Sequence, residues 1–223
     1  LLKVAFPVEV RATEATYEIQ FGNVQRPTHW NTSWDWARFE TCAQKWVDLS
    51  EGDYGVSLLN DCKYGHDVKD DVLRLSLLRS PTSPDPQADE GLHHFTYSLY
   101  PHRGSWRNGT VAEAYGLNNP LLAVWERAHA GSLPPAHSLV RGDSPNVVVE
   151  TVKQAEDSDD LVVRVYEAHN QRGPVKLIFA RPIVAASEVN LLEEPTGPAE
   201  HSGSELRFAV KPYQIRSFRV RLG

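Results

Sequence analysis

Leu73-Arg74-Leu75-Ser76-Leu77 carries an apolar side chain at every second position. In an extended chain successive side chains leave opposite faces, so this stretch turns one face to a core and the other to water. Phe95-Thr96-Tyr97-Ser98-Leu99 and Phe218-Arg219-Val220-Arg221-Leu222 repeat the pattern. The runs Val147-Val148-Val149, Leu161-Val162-Val163 and Val175-Lys176-Leu177-Ile178-Phe179 are short and rich in β-branched residues. Strands of this kind, recurring at roughly a dozen residues with turn chemistry between them, are the signature of a sandwich. The predicted fold is therefore all-β, an antiparallel β-sandwich. Val111-Ala112-Glu113-Ala114-Tyr115 alone reads as a helical turn or two, stopped by Gly116 and closed by Asn118-Asn119-Pro120.

Three segments read as connections. The prolines of Ser80-Pro81-Thr82-Ser83-Pro84-Asp85-Pro86 cannot donate ladder hydrogen bonds, which makes this an excursion from a sheet. Glu193-Glu194-Pro195-Thr196-Gly197-Pro198 has the scale of a hairpin connection, and Gly131-Ser132-Leu133-Pro134-Pro135-Ala136 is the best linker. The boundary is placed near residue 140, giving a larger sandwich over 1–139 and a smaller one over 140–223. No fixed-period repeat is evident, which argues against a solenoid or propeller.

The 223 residues contain 23 Lys+Arg and 29 Asp+Glu, a net charge of 23 − 29 = −6. This is not the basic footprint of a nucleic-acid binder. Hydrophobic residues make up 41%, enough for a globular core, yet no stretch approaches the roughly 20 apolar residues of a membrane span. Neither nucleic acid nor membrane is an expected partner. There is no Met, and Leu1-Leu2-Lys3-Val4 reads like the inside of a strand, so a piece of a longer protein is expected. Cys42 and Cys62 form neither a disulfide framework nor a zinc spacing. They are read as reduced, buried thiols, which points to the cytoplasm. Asn31-Thr32-Ser33 and Asn108-Gly109-Thr110 match the glycosylation triplet, which matters only in a secreted protein.

Candidate chemistry concentrates in Gln25-Arg26-Pro27-Thr28-His29-Trp30-Asn31-Thr32-Ser33-Trp34-Asp35-Trp36-Ala37-Arg38-Phe39-Glu40. Aromatic faces stack on the C–H surface of a sugar while amide, carboxylate and guanidinium groups meet its hydroxyls. Equally, Trp34 and Trp36 at i, i+2 share one face of a strand and serve as core, with Asp35 and Arg38 tying down backbone. A second region, Leu58-Leu59-Asn60-Asp61-Cys62-Lys63-Tyr64-Gly65-His66-Asp67, passes from an apolar strand into a polar loop. Asp61 and Asp67 are either a carboxylate pair for glycosidic chemistry or turn-formers. His93 and His94 alternate across a strand and cannot face one metal. Glu156-Asp157-Ser158-Asp159-Asp160 reads as a solvated hairpin tip, since it lacks the EF-hand pattern. No phosphate loop, nucleophile elbow or HExxH occurs.

The stretches FGNVQRPTHWNTSWDWARFE (21–40), KWVDLSEGDYGVSLLNDCKYG (45–65), LRLSLLRSPTSPDP (73–86), VVVETVKQAED (147–157) and VRVYEAHN (163–170) resemble the C-terminal region of glycoside hydrolase family 38 α-mannosidases, in the cytosolic-type branch. The resemblance implies a β-sandwich region that follows an N-terminal α/β-barrel and a helical bundle. It implies a retaining enzyme that hydrolyses terminal α-mannosyl residues through a covalent intermediate on an aspartate, aided by a divalent metal, typically zinc. In the family the nucleophile and the metal ligands belong to the N-terminal barrel, so no catalytic residue, metal ligand or cofactor is assigned to this chain. The expected partners are that barrel and a mannose-containing oligosaccharide. The resemblance makes Arg26 the candidate sugar-contacting arginine, with His29 and Trp30 beside it and Asn60, Asp61 and Tyr64 as further candidates. An apolar face left where the barrel belongs would let the isolated chain form a homo-oligomer. Two other readings stand beside this one: an autonomous carbohydrate-binding module with Trp30, Trp34 and Trp36 as its platform, and a purely structural domain.

Overall fold

A computed structural model describes residues 1–223 as two compact units, Leu1–Val124 and Trp125–Gly223. The division falls inside residues 120–139, a stretch with neither helix nor strand that includes the Pro134-Pro135 pair.

Unit 1 contains β1 (Leu2–Pro7), β2 (Glu14–Ile19), β3 (Gly22–Pro27), the short helix α1 (Ser33–Ala37), β4 (Thr41–Cys42), β5 (Trp46–Ser50), β6 (Tyr54–Asn60), β7 (Gly65–Lys69), β8 (Val72–Leu78), β9 (Tyr97–Arg103) and α2 (Thr110–Asn118). The strands form two antiparallel sheets, ordered β1-β8-β7-β4 and β3-β2-β5-β6-β9. The alternation read at 73–77 is realised in β8, where Leu73, Leu75 and Leu77 are buried and Arg74 and Ser76 face outward. These leucines join Tyr17, Val47, Leu49, Val56 and Leu58 in the main core. β5 and β6 do not alternate, because both faces of their sheet are covered. Val47 and Leu58 point to the main core, while Trp46 and Leu59 point the other way and pack with Trp106 and Ala114 under α2. The Trp46 and Trp106 rings lie 5.1 Å apart.

The cover over this sheet is partly polar. Asp48 accepts from Ser57 Oγ at 2.7 Å and from Ser50 Oγ, and His102 Nε2 lies 2.7 Å from its Oδ2. Ser57 in turn meets Thr110, the first residue of α2, at 2.7 Å. Gly55 is required beneath this network: a Cβ there would sit 2.3 Å from Ser50 Oγ and 2.5 Å from His102 Cε1.

Several expectations change. β9 begins at Tyr97 and lies at a sheet edge, leaving Tyr97 and Leu99 exposed, so Phe95–Leu99 does not bury a full apolar face. His93 and His94 precede that strand and lie in an exposed loop. Gly116 does not stop the helix, which runs through it to Asn118. Cys42 and Cys62 are unpaired as expected, but both are exposed rather than buried, because each sits at the rim where a strand meets a loop.

Unit 2 contains β10 (Val140–Gly142), β11 (Val147–Gln154), β12 (Leu161–Glu167), β13 (Gly173–Phe179), β14 (Ile183–Val189), β15 (Pro195–Pro198), β16 (Glu200–Ser202), β17 (Glu205–Val210) and β18 (Ile215–Leu222). Its antiparallel sheets are ordered β10-β13-β17-β16 and β11-β12-β18-β14-β15. Val163, Val165, Leu177, Phe179, Phe218 and Val220 form its core. Residues 156–160 do cap the β11–β12 hairpin, and Asp157 and Asp160 there pair with Arg219 and Arg221 at 3.0 and 2.8 Å. Pro195–Pro198 is itself a strand paired with β14, so only the first part of 193–198 is a turn.

Candidate functional site

The Trp-rich stretch leaves the sheet at Pro27, the end of β3. Thr28, buried, fastens it by donating from Oγ1 to the Ala12 carbonyl at 2.8 Å. Beyond it the chain forms α1 rather than a strand. The cause is a capping box: Asp35 N donates to Thr32 Oγ1 at 3.2 Å and Thr32 N donates to Asp35 Oδ2 at 3.1 Å, satisfying two donors that a helix start leaves open. Arg38 Nε then donates to the Trp34 carbonyl at 3.2 Å. Asp35 and Arg38 therefore do tie down backbone. Hydrogen bonds from Thr32 and Asn31, with His29 nearby, outweigh the opposing effect of desolvation on Asp35 and hold its carboxyl below the usual range. The core reading of the tryptophans fails: α1 buries none of its residues, and Trp34 and Trp36 are 76% and 65% exposed.

Arg26 lies on β3 with its guanidinium 4.8 Å over the Tyr17 ring, and Nη1 donates to the Cys42 carbonyl at 3.3 Å. Burial pushes the Tyr17 phenol up to about 12. Trp30 is half-exposed, with Lys69 Nζ 5.2 Å over its ring. His29 Nδ1 stands 4.0 Å from Asp35 Oδ2, beyond hydrogen-bond distance, and has no hydrogen-bond partner. Tyr17, Arg26, Trp30, Asp35, Arg38 and Phe39 enclose a cavity of about 20 Å³. That volume holds about one water molecule and is too small to admit a sugar ring. Phe39 belongs to the Trp-rich stretch, whereas nothing in the sequence marks Tyr17, which reaches the cavity by β2–β3 pairing opposite Val24.

The second region is built differently. Asn60 closes β6 and is 1% exposed. Its Nδ2 donates to the Gln44 carbonyl at 3.0 Å, and its Oδ1 accepts from Lys63 N at 2.6 Å. Asn60 thus shapes the loop and is not itself presented. Asp61 and Tyr64 are exposed on that loop. Asp61 Oδ1 accepts from Thr96 N at 3.0 Å, and these hydrogen bonds, with one from Cys62, overcome desolvation and lower its pKa. Asp67 is not its partner. Asp67 is buried on β7 and is held by Lys3 at 2.6 Å and Arg74 at 2.7 Å, so the carboxylate-pair reading has no support, and Asp67 is no turn-former either. His66, fully buried next to it, is pushed down to about 4 by desolvation.

Both regions fasten to β4 or to the residue that follows it. Arg26 donates to Cys42, and Ala43 N donates to the Tyr64 carbonyl at 3.0 Å. No hydrogen bond or ring contact joins His29 or Trp30 directly to Asn60, Asp61 or Tyr64. No group of three or more His, Cys, Asp and Glu is placed to hold a metal ion, so the residues here do not fit the implied metal and no step is assigned to one.

Both units match known domains. Residues 1–87 match the glycosyl hydrolases family 38 C-terminal domain, and residues 146–218 match the glycosyl hydrolases family 38 C-terminal beta sandwich domain. The chain belongs to the C-terminal region of glycosyl hydrolase family 38. It is 51% identical to Alpha-mannosidase 2C1 of Homo sapiens over 99% of its own length and 22% of that protein. It is 36% identical to Alpha-mannosidase of Saccharomyces cerevisiae, over 98% and 22%. Among solved structures, an alpha-mannosidase from Enterococcus faecalis V583 superposes with a TM-score of 0.79 at 25% identity, covering 98% of this chain and 25% of that one. The chain thus spans about a fifth to a quarter of the length of the proteins it matches.

Proposed function

We propose that the chain is the C-terminal, non-nucleophile part of a retaining α-mannosidase that hydrolyses terminal α-mannosyl residues. The observation that carries this is 51% identity along 99% of the chain to a protein named as an α-mannosidase. The residues fit a supporting role: Asp67 is tied up in ion pairs, and Asp61 sits on a separate exposed loop hydrogen-bonded to Thr96. The nucleophile, its acid/base partner and the metal are assigned to an N-terminal barrel outside these 223 residues. Arg26, His29 and Trp30 on one segment, with Asp61 and Tyr64 on the other, line the sugar site as hydrogen-bonding and stacking groups, and Asn60 holds the second loop in place. Two unpaired thiols fit a reducing compartment, and no helix is long and apolar enough to cross a membrane; the cytoplasm is the proposed location.

The test is hydrolysis of an aryl α-mannoside. The complete enzyme turns it over, the 223-residue chain does not even with zinc or cobalt supplied, and turnover by the chain alone would overturn the assignment. A second reading is favoured by the exposure of Trp34 and Trp36: a carbohydrate-binding module that works by itself. Calorimetric titration of the chain with mannobiose separates the two, because millimolar or tighter binding that is lost in Trp30→Ala supports the module.

A further inference from the structure

The exit from α2 is pinned in place. Asn118 Nδ2 donates to the Asn60 carbonyl at 3.0 Å, and Asn119 N donates to the Tyr115 carbonyl at 2.8 Å. The chain that leaves this anchor, Pro120-Leu121-Leu122-Ala123-Val124, forms neither helix nor strand. Leu121, Leu122 and Val124 are 99%, 94% and 82% exposed. From Leu117 to Trp125 there is no charged residue, in a protein of which 23% is charged. Scattered surface leucines need no explanation, but consecutive ones on an uncharged segment without secondary structure mark a surface meant to be covered.

Two observations bear on what covers it. The anchor sits at Asn60, the residue that shapes the loop carrying Asp61 and Tyr64, so the segment starts beside the proposed sugar-facing loop. Five extended residues reach roughly 17 Å from there. In addition, a chain matched along 99% of its length accounts for only 22% of Alpha-mannosidase 2C1, so most of a protein of that kind lies outside it.

We propose that Pro120–Val124 is a docking strap that lies in an apolar groove of the catalytic region, and that Leu121 and Leu122 are its anchors. This rests on the reading of the chain as part of an α-mannosidase. By fixing α2 and Asn60 against the region that carries the nucleophile, the strap sets where the 61–64 loop stands relative to the sugar.

Hydrogen exchange followed by mass spectrometry tests the proposal on peptides spanning 117–125. Exchange at least about tenfold slower in the complete enzyme than in the 223-residue chain is expected, and equal rates overturn it. A double variant, Leu121→Ser with Leu122→Ser, gives a second arm. In the 223-residue chain it leaves the melting temperature unchanged; in the complete enzyme it restores fast exchange and lowers kcat/KM about tenfold. Unchanged protection and kcat/KM in the variant overturn the docking role. So does a dimer of the isolated chain that the variant dissolves, because the strap would then take a second copy. A complete protein that lacks mannosidase activity yet protects the strap breaks the functional reading and leaves the docking intact.

Discussion

The two units share an architecture and differ in what they do with polar and aromatic side chains. In unit 2 the prominent charges are answered locally. Arg216 is paired with Glu188, Arg221 with Asp160, and Lys153 with Glu156 and Glu193. Its most buried carboxylate, Glu167, accepts from Asn146 Nδ2 and from the backbone amides of His169 and Tyr213 at 2.8–3.0 Å, clamping three loops. Unit 1 also buries a satisfied carboxylate, Asp48, but it turns Trp34 and Trp36 outward on a helix that buries nothing, and leaves Phe39 exposed just beyond that helix. A domain that only had to fold would gain by burying those rings, at about 25 cal/mol per Å² of apolar surface. Stability comes from the interiors of both units, and the rings clustered at α1 are the part of unit 1 that its own packing leaves uncovered.

The largest expected effect tests the interior of unit 1. Asp48→Ala strands Ser57 and His102 in a buried site and should lower stability by about 3–5 kcal/mol in urea unfolding. A loss under about 1 kcal/mol would mean that the network is not holding α2 to the sheet. Next is the pH dependence of His66. Its folded pKa is depressed to about 4 from 6.5, so the unfolded chain takes up the proton first as pH falls. The stability it supports is complete above about pH 6.5 and is lost between there and about pH 4, amounting to about 3 kcal/mol. His66→Gln should flatten that window; an identical pH profile in the variant would remove His66 as the cause. In unit 2, Glu167→Gln turns an amide donor toward backbone donors and should cost about 2 kcal/mol, with no effect on mannoside turnover beyond that of reduced stability. The smallest effect sharpens the contrast most. Trp34→Ser with Trp36→Ser should change stability by no more than about 0.5 kcal/mol, and a large loss would show that these rings are structural after all.

Much of the fold was legible because one-sided strands announce themselves. β8 and β18 alternate as Leu73–Leu77 and Phe218–Leu222 do. Where the alternation misled, geometry explains it. Phe95–Leu99 has the right period, but an edge strand has a neighbour on one side only and keeps Tyr97 and Leu99 in water. Trp34 and Trp36 have strand spacing, yet Thr32 and Asp35 supply a helix start that overrides it within five residues. The candidate site was legible in its residue types and illegible in its assembly. Arg26 and Tyr64 are linked through Cys42 and Ala43, at the end of β4, a strand of two residues that no periodicity could reveal. Asn60 and Asp67 look displayed in the sequence and prove to be internal braces, because their partners Gln44 and Lys3 are distant in the chain and Arg74 meets Asp67 only through the β7–β8 pairing.

This region is proposed to line the sugar site of an α-mannosidase without supplying its nucleophile. The most direct test is kcat/KM of the complete enzyme carrying Arg26→Ala, measured on an aryl α-mannoside alongside the melting temperature. Arg26 donates only to the Cys42 carbonyl and stacks on Tyr17. The account predicts roughly a 10- to 100-fold fall in kcat/KM, the worth of one charged hydrogen bond to substrate, at an almost unchanged melting temperature. An unchanged kcat/KM in a folded variant would contradict it.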